Sequence, residues 1–431
     1  MIEKILDSAR GKVDAAEVFF SETVTTEISF ENGILKNAEK KSIVGAALRV
    51  INKGHMGFSS TTDQDRIDEM VENARSSSRF GKKVRFEFPS RVHVTGVNTF
   101  YTAVEAYSPV KAIAEGRKAI TTLRNTCPKG MTDVSISTSV TSVRIANTSG
   151  LDLSYRYTDF SHSITSIIIE NDTVLWIGDG GHYGDLTIKT DEYVQKIADL
   201  AQKAETRVPR ISGTMPVIFT AQELPNLLQS IELGINGKRL LKGDSPLIGC
   251  EGKRMLGTIT LTDDPFIDHA PGSRPFDDEG VPSQRNILFN DGIFQSFIFD
   301  LDTAADTDRA STSNASRGIL SSPGIGTTNL VMSPGESNLD EMISSVDEGV
   351  IIYGVLGGGQ SNLLAGDFAL NIMLGFLIHK GEIAGRLIDT MVSGNVYDTF
   401  GTISSMSSTV HQIGSLFIPD VMFSELTISG R

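Results

Sequence analysis

The sequence predicts an α+β protein, with antiparallel sheets and helices in the N-terminal half followed by a mainly antiparallel β domain with few helices. Three observations carry this. Long runs rich in Val, Ile, Thr and Ser are broken by Asn-Gly, Asp-Gly and Lys-Gly pairs, which punctuate hairpins. Between the strand blocks lie stretches whose apolar residues recur at helical spacing. A chain of 431 residues also exceeds what one hydrophobic core organises, so two or three domains are expected.

Taken in order, residues 17–60 read as a meander with turns at Glu31-Asn32-Gly33 and Lys53-Gly54. Asp63 then caps a helix in which Ile67, Met70, Val71 and Ala74 form one apolar face. Ser108 as N-cap and Pro109 at the first helical position open a second helix running toward Cys127-Pro128. Residues 131–178 return to strands, with turns at Thr148-Ser149-Gly150 and Asn171-Asp172, and a third helix is expected over roughly 191–206. "RVPRISGTMP" has linker composition and sets the main boundary near residue 211. The expected domains are 1–210, divisible into strand and helix subdomains of about 1–90 and 91–210, and 211–431.

The second half opens on a short strand, "MPVIFT". Thr220 and Glu223 then have the T-x-x-E spacing of a capping box, ahead of the stripe Leu224, Leu227, Leu228, Ile231 and Ile235. "NILFNDGIFQSFIF" reads as a hairpin around Asn290-Asp291-Gly292. "GVIIYGVLGGG" reads as a strand, and "FALNIMLGFLIHKGEI" as a long strand turning at Lys380-Gly381. One helix, Ser337 to Glu348, is expected among them.

Charge and composition remove several function classes. With 39 basic and 53 acidic side chains the net charge is −14, which repels phosphate backbones and argues against direct nucleic-acid binding. The dense basic run "KKVR", Lys82 to Arg85, is read as a solvated patch. Two cysteines, Cys127 and Cys250, make no disulfide framework. The first twenty residues lack a signal-peptide pattern and no apolar run is long enough to span a bilayer, so a cytoplasmic, non-membrane protein is expected.

The stretch "PGSRPFDDEGVPSQR", Pro271 to Arg285, raises the question of chemistry. Carboxylates are dense from Asp263 to Asp308, and hard cations take oxygen ligands. Neighbours in an extended chain point to opposite sides, however, so Asp277 and Asp278 need a tight bend to share a cation. Arg254, Arg274, Arg285 and Arg309 lie near in sequence and suit charge-assisted pairs with these acids. Ion pairing, contact with a partner or peptide, and metal binding all stay open here. The seven histidines include no close pair and none is followed by glutamate, against a self-contained zinc peptidase. His182 in "GDGGHYGD" reads as a solvated residue on a glycine-rich turn. Ser245 and Ser361 lack the glycine of a nucleophile elbow, and no phosphate-binding loop motif occurs. Gly357, Gly358 and Gly359 follow an apolar strand, which suits either a sharp turn or close approach by another chain.

Several separate blocks then fall together. They are "GKRMLGTITLTDDPFIDHAPGSRPFDDEGVPSQRNILFNDGIFQSFIFDLDTA", "STSNASRG", "PGESNLDEMISSVDEGVIIYGVLGGGQSNLLAGDFAL" and the ending "GSLFIPDVMFSELTISG". Together they resemble the TldD/PmbA family, and within it the PmbA (TldE) branch, over most of the chain. The resemblance implies a two-subunit metallopeptidase. TldD-type subunits hold zinc through an H-E-x-x-x-H helix and a late cysteine, and PmbA-type subunits lack these ligands. Laid on "LLQSIELGINGK", that motif puts Gln229 and Gly234 at the histidine positions and Ser230 at the glutamate, and the last third of the chain has no cysteine.

The resemblance therefore implies no catalytic and no metal-binding residue in this chain, with zinc expected only in a TldD-type partner. Ser273, Arg274, Asp277, Asp278, Glu279, Gly280 and Gly357 to Gly359 become candidate peptide or interface contacts. The expected partners are a TldD-type subunit or a second copy of the chain, and unfolded or short peptides, which strand addition along a sheet edge recognises through main-chain hydrogen bonds with little regard to sequence. A second reading is a homodimeric peptide-binding or regulatory protein of the gyrase- or toxin–antitoxin-modulator type. A third is an independent hydrolase built on the acidic loops around a divalent cation.

Overall fold

Hairpin chemistry organises the N-terminal half. The computed structural model of the protein describes residues 1–170, 173–357 and 361–430. After helix α1 (Ile2–Ala9), strands β1 (Ala15–Glu31), β2 (Ile34–Asn52) and β3 (His55–Thr61) form the expected meander. Its turns are made by Asn32 and Gly33, and by Lys53 and Gly54, all with φ between 49° and 73° as two-residue hairpins of this hand require. Helix α2 (Ile67–Ser77) follows a short 3₁₀ turn whose start is capped by Asp63, and its Met70, Val71 and Ala74 are buried. Helices α3 (Thr102–Glu105) and α4 (Pro109–Thr126) come next, α4 opening with the Ser108 Oγ accepting from the Lys111 N–H. Strands β4 (Gly130–Asn147), β5 (Asp152–Glu170) and β6 (Thr173–Tyr183) complete a six-stranded antiparallel sheet in the order β3-β2-β1-β4-β5-β6, followed by α5 (Thr190–Lys203). The Asn171-Asp172 turn lies outside the described residues.

The second half begins with β7 (Ser212–Phe219), α6 (Pro225–Gly234) and α7 (Gly237–Lys242). Short strands β8 (Leu261–Asp263), β9 (Asn286–Asn290) and β10 (Ile293–Phe294) precede α8 (Leu301–Asp306), and β11 (Ala315–Ser316), β12 (Gly324–Ile325) and β13 (Leu330–Met332) follow it. Then come α9 (Leu339–Ser344), β14 (Glu348–Leu356), β15 (Asp367–His379), β16 (Glu382–Arg386), β17 (Thr390–Asn395), α10 (Val396–Gly401), β18 (Ile403–Ile413) and β19 (Leu416–Gly430). The sheet order is β10-β9-β8-β13-β19-β17-β15-β14-β7, and β7 also pairs with β19, so β7, β14, β15, β17 and β19 close into a ring. The architecture is α+β, as expected.

Two local expectations are corrected. The helix expected over 337–348 spans only Leu339–Ser344, because Asn338 and Glu341 form the capping box and Glu348 already begins β14. Thr220 and Glu223 form no capping box. The Thr220 hydroxyl donates to the Ile352 carbonyl (3.0 Å) and Glu223 accepts from the Val355 N–H (3.1 Å), so both side chains hold the neighbouring strand and the helix begins later, at Pro225.

One core fills the ring and the face of α6, with Phe219, Leu228, Ile352 and Phe423 among its fully buried residues. A second lies between α4, α5, the N-terminal sheet and the outer side of the ring, so it draws Ile164 and Ile177 from one half and Ile351 and Phe376 from the other. The segment read as linker is hydrogen-bonded into the second half: Val208 N–H donates to Arg386 O (3.1 Å) and Gly430 N–H to Ile211 O (2.8 Å). No helix among the described residues is long and apolar enough to cross a membrane.

Candidate functional site

Helix α6 is where the resemblance places the vacant ligand positions. Leu224, Leu227, Leu228, Ile231 and Ile235 are all at most 1% exposed and turn one face of the helix into the core. That packing fixes where the other side chains go. Gln229 faces solvent. Ser230 is fully buried, and its Oγ finds no hydrogen-bond partner among the described residues. Gly234 is buried beneath Tyr397, whose hydroxyl stands where a side chain on Gly234 would begin and donates to the Ser230 carbonyl at 3.4 Å. Glu232, the one carboxylate on this turn, accepts from the Thr327 hydroxyl (2.8 Å), and burial raises its pKa. A surface amide, an enclosed hydroxyl and a glycine do not make the donor set of a zinc site. Among the described residues no group of three or more His, Cys, Asp and Glu side chains is placed to hold a metal ion.

The acidic stretch is almost entirely buried, and its three carboxylates diverge. Asp277 makes a tight turn: Oδ1 accepts from the N–H groups of Glu279 and Val281 (both 2.9 Å) and Oδ2 from Ala315 N–H (3.1 Å). Burial, with the Glu279 charge second, pushes its pKa up to about 7. Asp278 accepts from the Arg317 N–H at 2.8 Å. Glu279 reaches back to the N-terminal sheet, accepting from Arg49 Nη1 at 2.5 Å and from the Leu301 N–H at 2.7 Å. Gly280 closes the turn at φ +77°, packed against Leu151.

Arg49 and Glu17 sit directly opposite on β2 and β1, joined by two parallel bonds of 2.9 Å. Glu17 also accepts from Arg317 Nη2 at 2.8 Å. The result is a sealed chain of charges, Glu279–Arg49–Glu17–Arg317, that ties the first sheet to the loops of the second half. Removing any one member strands a charge away from water. Of the other arginines near the acids, Arg254 pairs with Asp291 (2.8 Å), Arg285 with Asp264 (2.7 Å) and Arg309 with Glu251 (2.5 Å).

Ser273 donates to Ile267 O (2.5 Å) and accepts from Asn329 Nδ2 (2.8 Å), while Arg274 donates to Ala315 O (2.9 Å) and Ser313 O (3.3 Å). These two residues and Asp278 line a cleft of about 630 Å³ between the N-terminal sheet and the loop. Gly357, at φ +105°, follows the end of β14, with Asn371 Nδ2 at 3.7 Å and Ala369 O at 4.0 Å from the place of a β-carbon. Gly358 and Gly359 lie outside the described residues. Thus Ser273, Arg274 and Asp278 come together at one cleft, Asp277, Glu279 and Gly280 form the buried turn behind it, and Gly357 belongs to a different strand end.

Sequence reasoning did not find Glu17, Arg49 and Arg317. The available signal was a charge inside the otherwise apolar runs "AAEVFF" and "AALRV". His182 is also corrected: it lies on strand β6, not on a turn, with Nε2 2.8 Å from Asp159 Oδ1 in the same cleft.

Known proteins match this architecture along the whole chain. Models of the PmbA/TldA metallopeptidase domain 1, central domain and C-terminal domain match residues 16–78, 102–208 and 212–430. A protein named metalloprotease from Methanothermobacter thermautotrophicus is 26% identical over 424 residues, covering 94% of this chain and 90% of that one. Metalloprotease PmbA of Escherichia coli O157:H7 is 24% identical over 456 residues, covering 100% and 95%. The crystal structure of TldE from Thermococcus kodakarensis superposes with a TM-score of 0.92 at 24% identity, each chain covered completely. With all three domains matched in order, this chain belongs to the PmbA/TldD family of metallopeptidase-like proteins.

Proposed function

We propose that the chain is the zinc-free, PmbA/TldE-type subunit of a cytoplasmic two-subunit Tld peptidase. In this reading a TldD-type partner supplies zinc and hydrolysis, and this chain supplies part of the chamber in which unfolded or short peptides are held. The carrying observation is the state of α6: Gln229 points to water, Ser230 is enclosed, and Tyr397 fills the space beside Gly234. Such a helix serves packing in place of coordination. The matched family domains, described as metallopeptidase domains, support the same reading.

The test is reconstitution. The purified chain is mixed with a zinc-bearing TldD-type subunit, and complex formation is followed by size exclusion while cleavage of an unfolded polypeptide is followed by mass spectrometry. The expected result is a stable complex whose cleavage needs both chains. Absence of a complex, or hydrolysis by this chain alone with stoichiometric zinc, overturns the proposal.

A further inference from the structure

The segment around residue 207 joins the part of the chain matched as the central domain to the part matched as the C-terminal domain, and it does so by pairing with strand β16. The Arg386 N–H donates to Thr206 O (2.7 Å) and the Val208 N–H to Arg386 O (3.1 Å), which makes Arg207 and Arg386 direct partners in a parallel bridge. Bridge partners send their side chains to the same side of the ladder, and like charges so placed repel. The pair is therefore a local cost to the fold. It stands although the chain has 53 acidic side chains for 39 basic ones.

The two guanidinium groups are unequally served. The Arg207 side chain keeps 36% exposure and gives Nη2 to Glu170 Oε2 at 2.8 Å. Glu170 also lies 4.0 Å from Lys129 Nζ, so one carboxylate answers two surface cations. Arg386 is only 3% exposed, its buried Nε has no acceptor, and its side chain makes no hydrogen bond or ion pair among the described residues. Burial, followed by the Arg207 charge, lowers its pKa, and Glu170 opposes them only in part. An arginine still keeps its proton at neutral pH. A buried cation without a counter-ion is destabilising, and so is each buried N–H without an acceptor. Both costs end when an anion with several oxygens sits between the two side chains. Guanidinium groups match phosphate oxygens in just this way.

We propose that Arg386, with Arg207 beside it, forms a binding site for a phosphate group, Arg207 meeting the ligand at the surface and Arg386 holding it from below. Two guanidinium groups offer more N–H donors than the two oxygens of a carboxylate can engage, so the tetrahedral oxyanion is the better match. Bound there, it fastens the joining segment to β16 and so the central part of the chain to the C-terminal part. The site shares no residue with α6 or with the cleft at Ser273. Its failure therefore leaves the peptidase reading untouched.

Calorimetry and thermal melts are run on the whole purified chain at neutral pH, in a chloride buffer of constant ionic strength, with inorganic phosphate, ADP and acetate as ligands. Phosphate is expected to bind once per chain with a Kd of about 1 mM or below. The melting temperature should rise with its concentration. Acetate should bind at least about tenfold more weakly. ADP binding as tightly as phosphate, or more so, assigns the site to phosphate carried on an organic molecule, and weaker ADP binding assigns it to the free ion; either supports the site. Arg386→Met keeps an unbranched apolar stem without the charge and should weaken phosphate at least about tenfold, and Arg207→Gln at least about threefold. Should Arg386→Met not fold, Arg207→Gln carries the test through a smaller phosphate-dependent rise in melting temperature. No phosphate binding below about 10 mM, acetate bound as tightly as phosphate, or an affinity unchanged in the folded variants, which marks an adventitious ion only, overturns the proposal.

Discussion

The Tyr397 hydroxyl occupies the space into which a side chain at Gly234 would grow, and it donates to the Ser230 carbonyl one turn earlier on the same helix. A histidine at this position cannot be added without displacing that ring. Gly234→His should lower stability by about 1–3 kcal/mol, the usual scale of overpacking. Adding Tyr397→Ala should recover part of the loss. Urea unfolding of both variants checks this, and a fully stable single variant would show that the ring yields freely.

The sealed ion chain makes a graded prediction. Arg49→Leu leaves Glu279 and Glu17 without their shared partner and should cost about 3–5 kcal/mol. Glu279→Gln keeps an acceptor for the Leu301 N–H and should cost less. The two midpoints in urea, read with unchanged slopes, provide the comparison.

Stability should depend on pH through Glu223. Burial pushes its carboxyl up to about 7 from 4.5, although the Val355 N–H and the Asn226 amide oppose the shift. The folded chain therefore holds a proton that the unfolded chain has released between these values. Stability then falls as pH rises from about 4.5 to 7, by at most about 3 kcal/mol, and is flat for this group above that range. Glu223→Gln should remove this part of the slope, seen as a flatter plot of melting temperature against pH.

Gly280 sits at φ +77° with Leu151 against it. An alanine there meets left-handed backbone strain of roughly 1–2 kcal/mol, and the contact adds to it. Gly280→Ala should therefore be clearly less stable, whereas Gly243→Ala, at φ +75° with open space around it, reports the strain alone. Thermal melts of the pair separate the two contributions.

Local signals were legible because they act within a few residues. Lys53-Gly54, Asp291-Gly292 and Lys380-Gly381 all turn with positive φ where the sequence pattern placed hairpins. Ser108 caps its helix as expected, and the apolar stripe of α6 is buried throughout. Pairings across long separations were not legible. Arg49 and Glu279 are 230 residues apart, and nothing local in either segment names the other. Thr220 and Glu223 show the opposite error: the spacing was right for a cap, but the strand beside them offered better-placed hydrogen-bond partners. At the candidate cleft, Ser273, Arg274 and Asp278 could be singled out from one loop. Tyr157 and His182 could not, because only the folded sheet brings β5 and β6 to that loop.

Strand β7, near the middle of the chain, takes one neighbour from β14 and the other from β19, whose residues are the last to be synthesised among the three. During translation, β7 must wait with one edge unmatched until residues 416–430 have emerged. The C-terminal half should therefore acquire its final shape late and in one concerted event, leaving incomplete nascent chains dependent on protection from aggregation.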